Sequence, residues 1–125
     1  VQEYERRFAK FFGSKFALMT SSGSSANLLM IGSLFFTRDK KLRLKRGDEI
    51  IVPAVSWSTT YFPLQQYGLK VKFIDIDLDT LNLDLSALKK SITKKTKAIL
   101  AVNLLGNPND FLEIKKNIKA KIFLY

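Results

Sequence analysis

The spacing of apolar positions changes from one segment to the next, and the changes predict an order of elements. Tyr4, Phe8, Phe11 and Phe12 fall on one helical face, and Gly13 suits the end of that helix. Residues 16–20 read as a short strand. A helix over about 25–36 is apolar nearly all round and should be buried. A basic loop, 37–46, and a Gly47-Asp48 turn lead to a strand over 49–52 closed by Pro53. Residues 56–67 read as a helix capped by Ser56 or Ser58 and ended by Gly68. Pro63 should cost it an interior hydrogen bond and kink it. A strand over 71–76 and a polar turn over 77–83 follow. Asp84 then caps a helix opening at Leu85. A continuous apolar strand (98–102), a loop holding Gly106 and Pro108 (103–109), a short helix capped by Asn109 or Asp110 (110–117) and a last strand (122–125) complete the pattern.

Short strands alternating with helices predict an α/β fold: a mostly parallel sheet with helices on both faces. Ligands of such sheets sit beyond the carboxyl ends of the strands. Three loops lie there: 21–25, 53–58 and 103–108. The pattern opens inside an amphipathic helix and stops at a strand, so the chain reads as a segment truncated at both ends.

Composition removes several chemistries. The 125 residues are 46% apolar, enough for one core and too few for two. With neither cysteine nor histidine, disulfides, thiol catalysis, Ser-His catalysis and Cys/His zinc sites are excluded. No apolar run approaches the roughly 20 residues of a membrane span. The charged, periodic first ten residues are not a secretory signal, so cytoplasmic residence is expected. The net charge of +10 raises a non-catalytic, basic nucleic-acid-binding module as one reading. Sixteen of the 21 basic residues are lysine, however, and they sit at predicted loops and helix ends. A phosphate-clamping surface would favour arginine and interleaved aromatics, so a solvated lysine surface is preferred.

The candidate chemistry sits in the three loops. Ser21-Ser22-Gly23-Ser24-Ser25-Ala26-Asn27 lies between a predicted strand and a helix start. Open backbone N–H groups and the helix dipole favour an anion there, although neither a Walker loop nor a dinucleotide fingerprint is present. A capped helix start explains the same residues. Trp57 is either core or an aromatic platform at a strand end. Asn103 and Asn107 either cap turns or touch ligand. Asp75 and Asp77 would point to one face, but a turn over 77–80 explains them equally.

Four stretches occur in one order: Ser22-Gly23-Ser24-Ser25-Ala26-Asn27, Gly47-Asp48-Glu49-Ile50-Ile51-Val52-Pro53-Ala54, Phe73-Ile74-Asp75-Ile76-Asp77 and Leu104-Leu105-Gly106-Asn107-Pro108. With the intervening Thr80-Leu81-Asn82-Leu83-Asp84, this series resembles the sugar aminotransferase-like branch of the pyridoxal-phosphate (PLP) enzymes with the aspartate aminotransferase fold. The resemblance covers essentially the whole chain. It implies the first part of a large cofactor-binding domain and a cofactor that is PLP or pyridoxamine phosphate (PMP). It makes Gly23, Ser24 and Ser25 the phosphate cradle, Trp57 the ring platform, and Asn107 a neighbour of the cofactor. The reaction implied is removal of the C3 hydroxyl from GDP-4-keto-6-deoxymannose, with a nucleotide-sugar 4-aminotransferase as the alternative. Deoxysugar and O-antigen biosynthesis, glutamate as amino donor and a homodimeric full-length enzyme follow from the same likeness.

The resemblance also implies that no catalytic residue lies within this segment. The aspartate that pairs with the pyridine nitrogen, and the histidine or lysine that separates dehydratase from aminotransferase, belong beyond Tyr125. None of the 16 lysines lies in a buried, Gly/Ser-flanked setting, so none should be the Schiff-base lysine. Borohydride reduction of the PLP-loaded protein followed by peptide mapping checks this, and an adduct on any of them would overturn it.

Overall fold

In the computed structural model, which describes residues 1–116 and 122–124, one strand has no solvent face. This is β1 (Glu49–Pro53), in which Ile50, Ile51 and Val52 are all 0% exposed. It is flanked by β2 (Lys70–Ile74) and β3 (Thr96–Leu100), and β4 (Ile122–Leu124) follows β3. Every pairing is parallel, with Ile50 opposite Val71 on one side and Ala98 on the other. A strand stretch buried on both faces must be apolar, which is why Ile50–Val52 of β1 and Ala98–Leu100 of β3 show no alternation, whereas Lys97 at the start of β3 is exposed.

Successive side chains leave a strand in opposite directions, so the sheet feeds two cores. Ile50, Val52, Ala98 and Leu100 face α2 (Gly23–Phe36) and α3 (Ser58–Gln66), where Ile31 and Leu64 meet them. Ile51, Ile99 and Ala101 face α4 (Leu85–Ser91) and α5 (Phe111–Lys116), where Leu88 and Ile114 meet them. Helices therefore cover both faces, as the strand–helix alternation implies. From β1 the chain leaves through α3 to β2. From β3, beside it, the chain leaves through α5 in the opposite direction to β4. That reversal opens a crevice at the carboxyl ends of β1 and β3, the usual ligand position in such sheets.

Several expectations are corrected. Residues 16–20 form no strand. They run beside α1 (Gln2–Phe11), where Met19 N–H donates to Glu5 Oε1 at 2.7 Å, and no described strand lies alongside to pair with them. The helix expected from about residue 25 starts at Gly23, so Gly23, Ser24 and Ser25 form its first turn and not a loop before it. It is also less covered than its composition implies, with Leu28, Leu29 and Phe36 exposed. The N-cap of α3 is Trp57 and neither serine; Ser56 Oγ bonds Thr60 Oγ1 instead, at 3.0 Å. β2 ends at Ile74, and Ile76 makes only an isolated bridge to Leu83. β3 opens at Thr96, two residues early. The caps at Asp84 and Asp110 form as expected, their Oδ1 atoms accepting from Ser86 and Ala87 N–H and from Glu113 N–H respectively. The ends expected at Asn117 and Tyr125 lie outside the described residues.

α2 and α3 approach closely at Gly32, where an added Cβ would lie 2.5 Å from Tyr67 Oη. Tyr67 is held by its ring contact with Phe35, centroids 4.7 Å apart. Alanine gains about 1 kcal/mol in helix propensity, but overpacking against a braced ring costs about 1–3 kcal/mol. Gly32→Ala should therefore lower the melting temperature. The same change in a Tyr67→Phe background, which lacks the clashing oxygen but keeps Cζ 3.3 Å from the new Cβ, should cost less. Calorimetry of the wild type, the two single variants and the double variant checks the difference.

Candidate functional site

The first turn of α2 has the makings of an anion site. Ser22, extended at φ −162°, ψ 163°, caps the helix by accepting from Ser25 N–H at 3.1 Å. The Gly23 and Ser24 N–H groups precede the intrahelical ladder and stay open. No acidic residue lies in this first turn to compete for them. The Ser25 hydroxyl joins those of Ser21 and Ser22 at 3.1 and 3.0 Å. A Cβ on Gly23 would meet no atom of the chain within 4 Å, so the fold makes no steric demand for glycine there.

The second component follows β1. At the strand's end Tyr61 Oη donates to Pro53 O at 2.7 Å, and burial pushes the phenol pKa up, with the Ser56 contact opposing the shift. The phenol thus remains a donor at neutral pH. This fixes the first turn of α3 against β1, and Trp57, one residue before that helix, projects outward with 75% of its surface exposed. That exposure removes the core reading of Trp57. The two helix starts meet directly: Asn27 Nδ2 donates to Thr59 O at 3.2 Å, and a cleft of about 200 Å³ beside it is lined by Ser24, Ser25, Leu28, Thr59 and Phe62 among others.

The third component follows β3. Asn103 Oδ1 accepts from both Asn109 N–H and Asn109 Nδ2, at 3.0 and 2.9 Å, so Asn103 is a loop staple. Between them the chain turns through Leu105 and Gly106 at φ +53° and +87°, which leaves Asn107 exposed. Its Nδ2 donates to Thr80 O at 3.1 Å. The side chain of Asn107 is thereby tied to the turn after β2, and not to Trp57 or the α2 turn. Thr80 is held in turn by Asp77, whose Oδ1 accepts from Thr80 N–H, Thr80 Oγ1 and Asp79 N–H at 2.8, 2.9 and 3.1 Å. Asp77 is thus a turn residue, and Asp75 Oδ1 accepts from the adjoining Ile76 N–H.

Sequence reasoning singled out the Ser/Gly turn, Trp57 and Asn107, but gave Asn27 and Tyr61 no separate role. For Asn27 a signal existed: an amide amid Ala26, Leu28 and Leu29 on an otherwise apolar helix. The basic groups lie elsewhere. Lys45, Arg46, Lys70, Lys94 and Lys95 stand at the amino ends of the strands, away from the candidate site. None of the described lysines is buried, while Lys119 and Lys121 lie outside the described residues. Among the described residues no group of acidic side chains is arranged to hold a metal, and no helix is long and apolar enough to cross a membrane.

A helix start with open amides, an exposed tryptophan and an asparagine-bearing loop thus lie at the carboxyl edge of a parallel sheet covered by helices, the layout of an open α/β protein. The chain belongs to the DegT/DnrJ/EryC1/StrS aminotransferase family, whose profile matches residues 1–123. It is 71% identical over 121 residues to a GDP-4-keto-6-deoxy-D-mannose 3-dehydratase of Escherichia coli O55:H7, covering 97% of this chain and 31% of that protein. The corresponding Yersinia pseudotuberculosis protein is 69% identical over 121 residues, with 97% and 30% covered. A solved GDP-4-keto-6-deoxymannose-3-dehydratase with a trapped PLP-glutamate geminal diamine superposes with a TM-score of 0.92 at 66% identity, covering 98% of this chain and 32% of that one. A putative sugar aminotransferase from Streptococcus pneumoniae in its PLP form superposes at 0.81 and 27% identity, with 94% and 28% covered. The chain thus spans about a third of the length of the relatives it matches.

Hydrogen bonds from Thr80 first, and from Asp79 after it, hold the Asp77 carboxyl below its ordinary 3.8. A depressed carboxyl contributes stability above the unfolded value and loses it as pH falls through the folded one. Asp77→Asn should therefore flatten the stability–pH curve between about pH 5 and 2. Urea unfolding followed across that range checks the slope.

Proposed function

We propose that the chain belongs to the large cofactor-binding domain of a PLP- or PMP-dependent nucleotide-sugar enzyme, a 3-dehydratase removing the C3 hydroxyl of GDP-4-keto-6-deoxymannose. The observation that carries this reading is the 71% identity to a dehydratase of that name. The Gly23 and Ser24 amides, left open behind the Ser22 cap, support it independently, because a phosphate needs such donors at a helix start.

In this reading the Gly23 and Ser24 N–H groups donate to the cofactor phosphate, and the α2 dipole favours its charge. The Ser24 and Ser25 hydroxyls add donors. Trp57 covers one face of the pyridine ring and keeps water from it. Asn107 stands beside the cofactor on a loop anchored at Thr80 O. Bound there, the cofactor supplies a conjugated ring that takes up electrons from the bond being broken, while the protein orients it. The groups that move protons come from outside this chain. Glutamate as amino donor, a homodimeric complete enzyme and a cytoplasmic location belong to the same reading.

Incubating the complete protein with GDP-4-keto-6-deoxymannose, PLP and glutamate should yield a 3-deoxy sugar. Recovery of a 4-amino sugar would turn the assignment to an aminotransferase. As a test of the cradle, Gly23→Ala should weaken PLP binding several-fold without lowering the melting temperature of the cofactor-free protein, since the new Cβ meets nothing in the chain. Unchanged binding would remove the cradle from Gly23.

A further inference from the structure

We propose that Asn27 is a positioning residue that locks the phosphate-binding turn of α2 to the Trp57-bearing start of α3, using a carbonyl that Pro63 leaves vacant. The proposal rests on the cofactor reading above and goes beyond it by identifying what sets the geometry between its two halves.

In an α-helix the N–H of each residue bonds the carbonyl four residues earlier. The N–H that should reach Thr59 O belongs to position 63, and proline has none. Thr59 O is therefore denied its helical donor, in the part-buried seam between α2 and α3. Asn27 Nδ2 fills that place at 3.2 Å. The two residues lie far apart in sequence, and each accounts for the other. Without Pro63, Thr59 O would carry an ordinary helical bond. Without Asn27, Pro63 would leave a half-buried carbonyl unsatisfied, a costly state.

The placement gives the bond its consequence. Asn27 stands one helical turn after Gly23, and Thr59 two residues after Trp57. The bond is thus the short side-chain link between the two groups assigned to the cofactor. Behind it, the Tyr61–Pro53 bond fixes the α3 start to β1, and the Ser56–Thr60 bond ties the loop after β1 to the first turn of α3. A continuous line of contacts then runs from the end of β1, through α3, to the α2 turn. Helix formation does not explain Asn27, since asparagine is among the weaker formers and leucine would serve better. Packing of the pair is secured separately, by the close approach of Gly32 to Tyr67 at the other end.

The test separates satisfying a carbonyl from holding a register. Four forms of the complete protein are compared: wild type, Asn27→Leu, Pro63→Ala, and the double variant. Each is titrated with PLP, followed by the cofactor's induced circular dichroism, and each is melted without cofactor. Asn27→Leu should lower the melting temperature and weaken PLP binding about tenfold, the worth of roughly one hydrogen bond. In the double variant the backbone N–H restored at position 63 again supplies Thr59 O. Its melting temperature should recover, while its PLP affinity and dichroism stay as weak as in Asn27→Leu. Recovery of affinity together with stability would reduce Asn27 to a structural role and overturn the proposal. Wild-type binding by Asn27→Leu would overturn it as well. A wild-type protein showing no PLP signal would instead overturn the functional reading, and this proposal with it.

Discussion

The burial of β1 on both faces is the constraint from which the rest follows. Its three central side chains lie entirely out of water and point alternately into two cores. Apolar surface taken from water contributes roughly 25 cal/mol per Å², and a strand can collect that gain twice only if helices cover both sides. Parallel neighbours then place all the strand-to-helix turns at one edge. The carboxyl edge thereby collects helix starts, with open N–H groups and positive dipole ends, and the amino edge collects the lysines.

Polar detail at that edge is built from backbone carbonyls that the fold leaves without partners. Tyr61 serves Pro53 O, Asn82 serves Pro108 O, Asn107 serves Thr80 O, and Asn27 serves Thr59 O. Asn82 and Asn107 act from turns and Tyr61 and Asn27 from helices, and each meets a main-chain carbonyl of another stretch of the chain. Such bonds contribute modestly, about 1 kcal/mol each, but leaving the acceptor buried and unmet costs more. They hold loops that belong to different strands in a common frame. Elsewhere the described surface carries several exposed apolar side chains: Phe11, Phe16, Leu18 and Phe36 are each more than 70% exposed.

Legibility in the sequence tracked how local each cause was. The apolar runs at Ile50–Val52 and Ala98–Leu100 are readable because burial on both faces leaves no polar position there. Asp84 was readable as a cap because its bonds reach only to Ser86 and Ala87. Residues 16–20 misled because a strand needs a neighbour as well as a β-rich composition, and no described strand lies beside them. The start of α2 was placed two residues late because glycine and serine read as loop, whereas the Ser22 cap makes them the first helical turn. Trp57 could be core or platform, and its exposure removes only the core reading.

By itself the sequence determined the fold class, the two-faced sheet and the stretch that could hold a phosphate, because those depend on periodicity and on residues adjacent in the chain. It also carried Pro63 and its missing donor. Only the tertiary structure decided that Asn27 answers Pro63, that Trp57 faces outward, and that Asn107 is tied to the turn after β2. Those outcomes depend on which turns the sheet brings side by side, and a hydrogen bond over about 3 Å between residues tens of positions apart leaves no periodic trace in either segment.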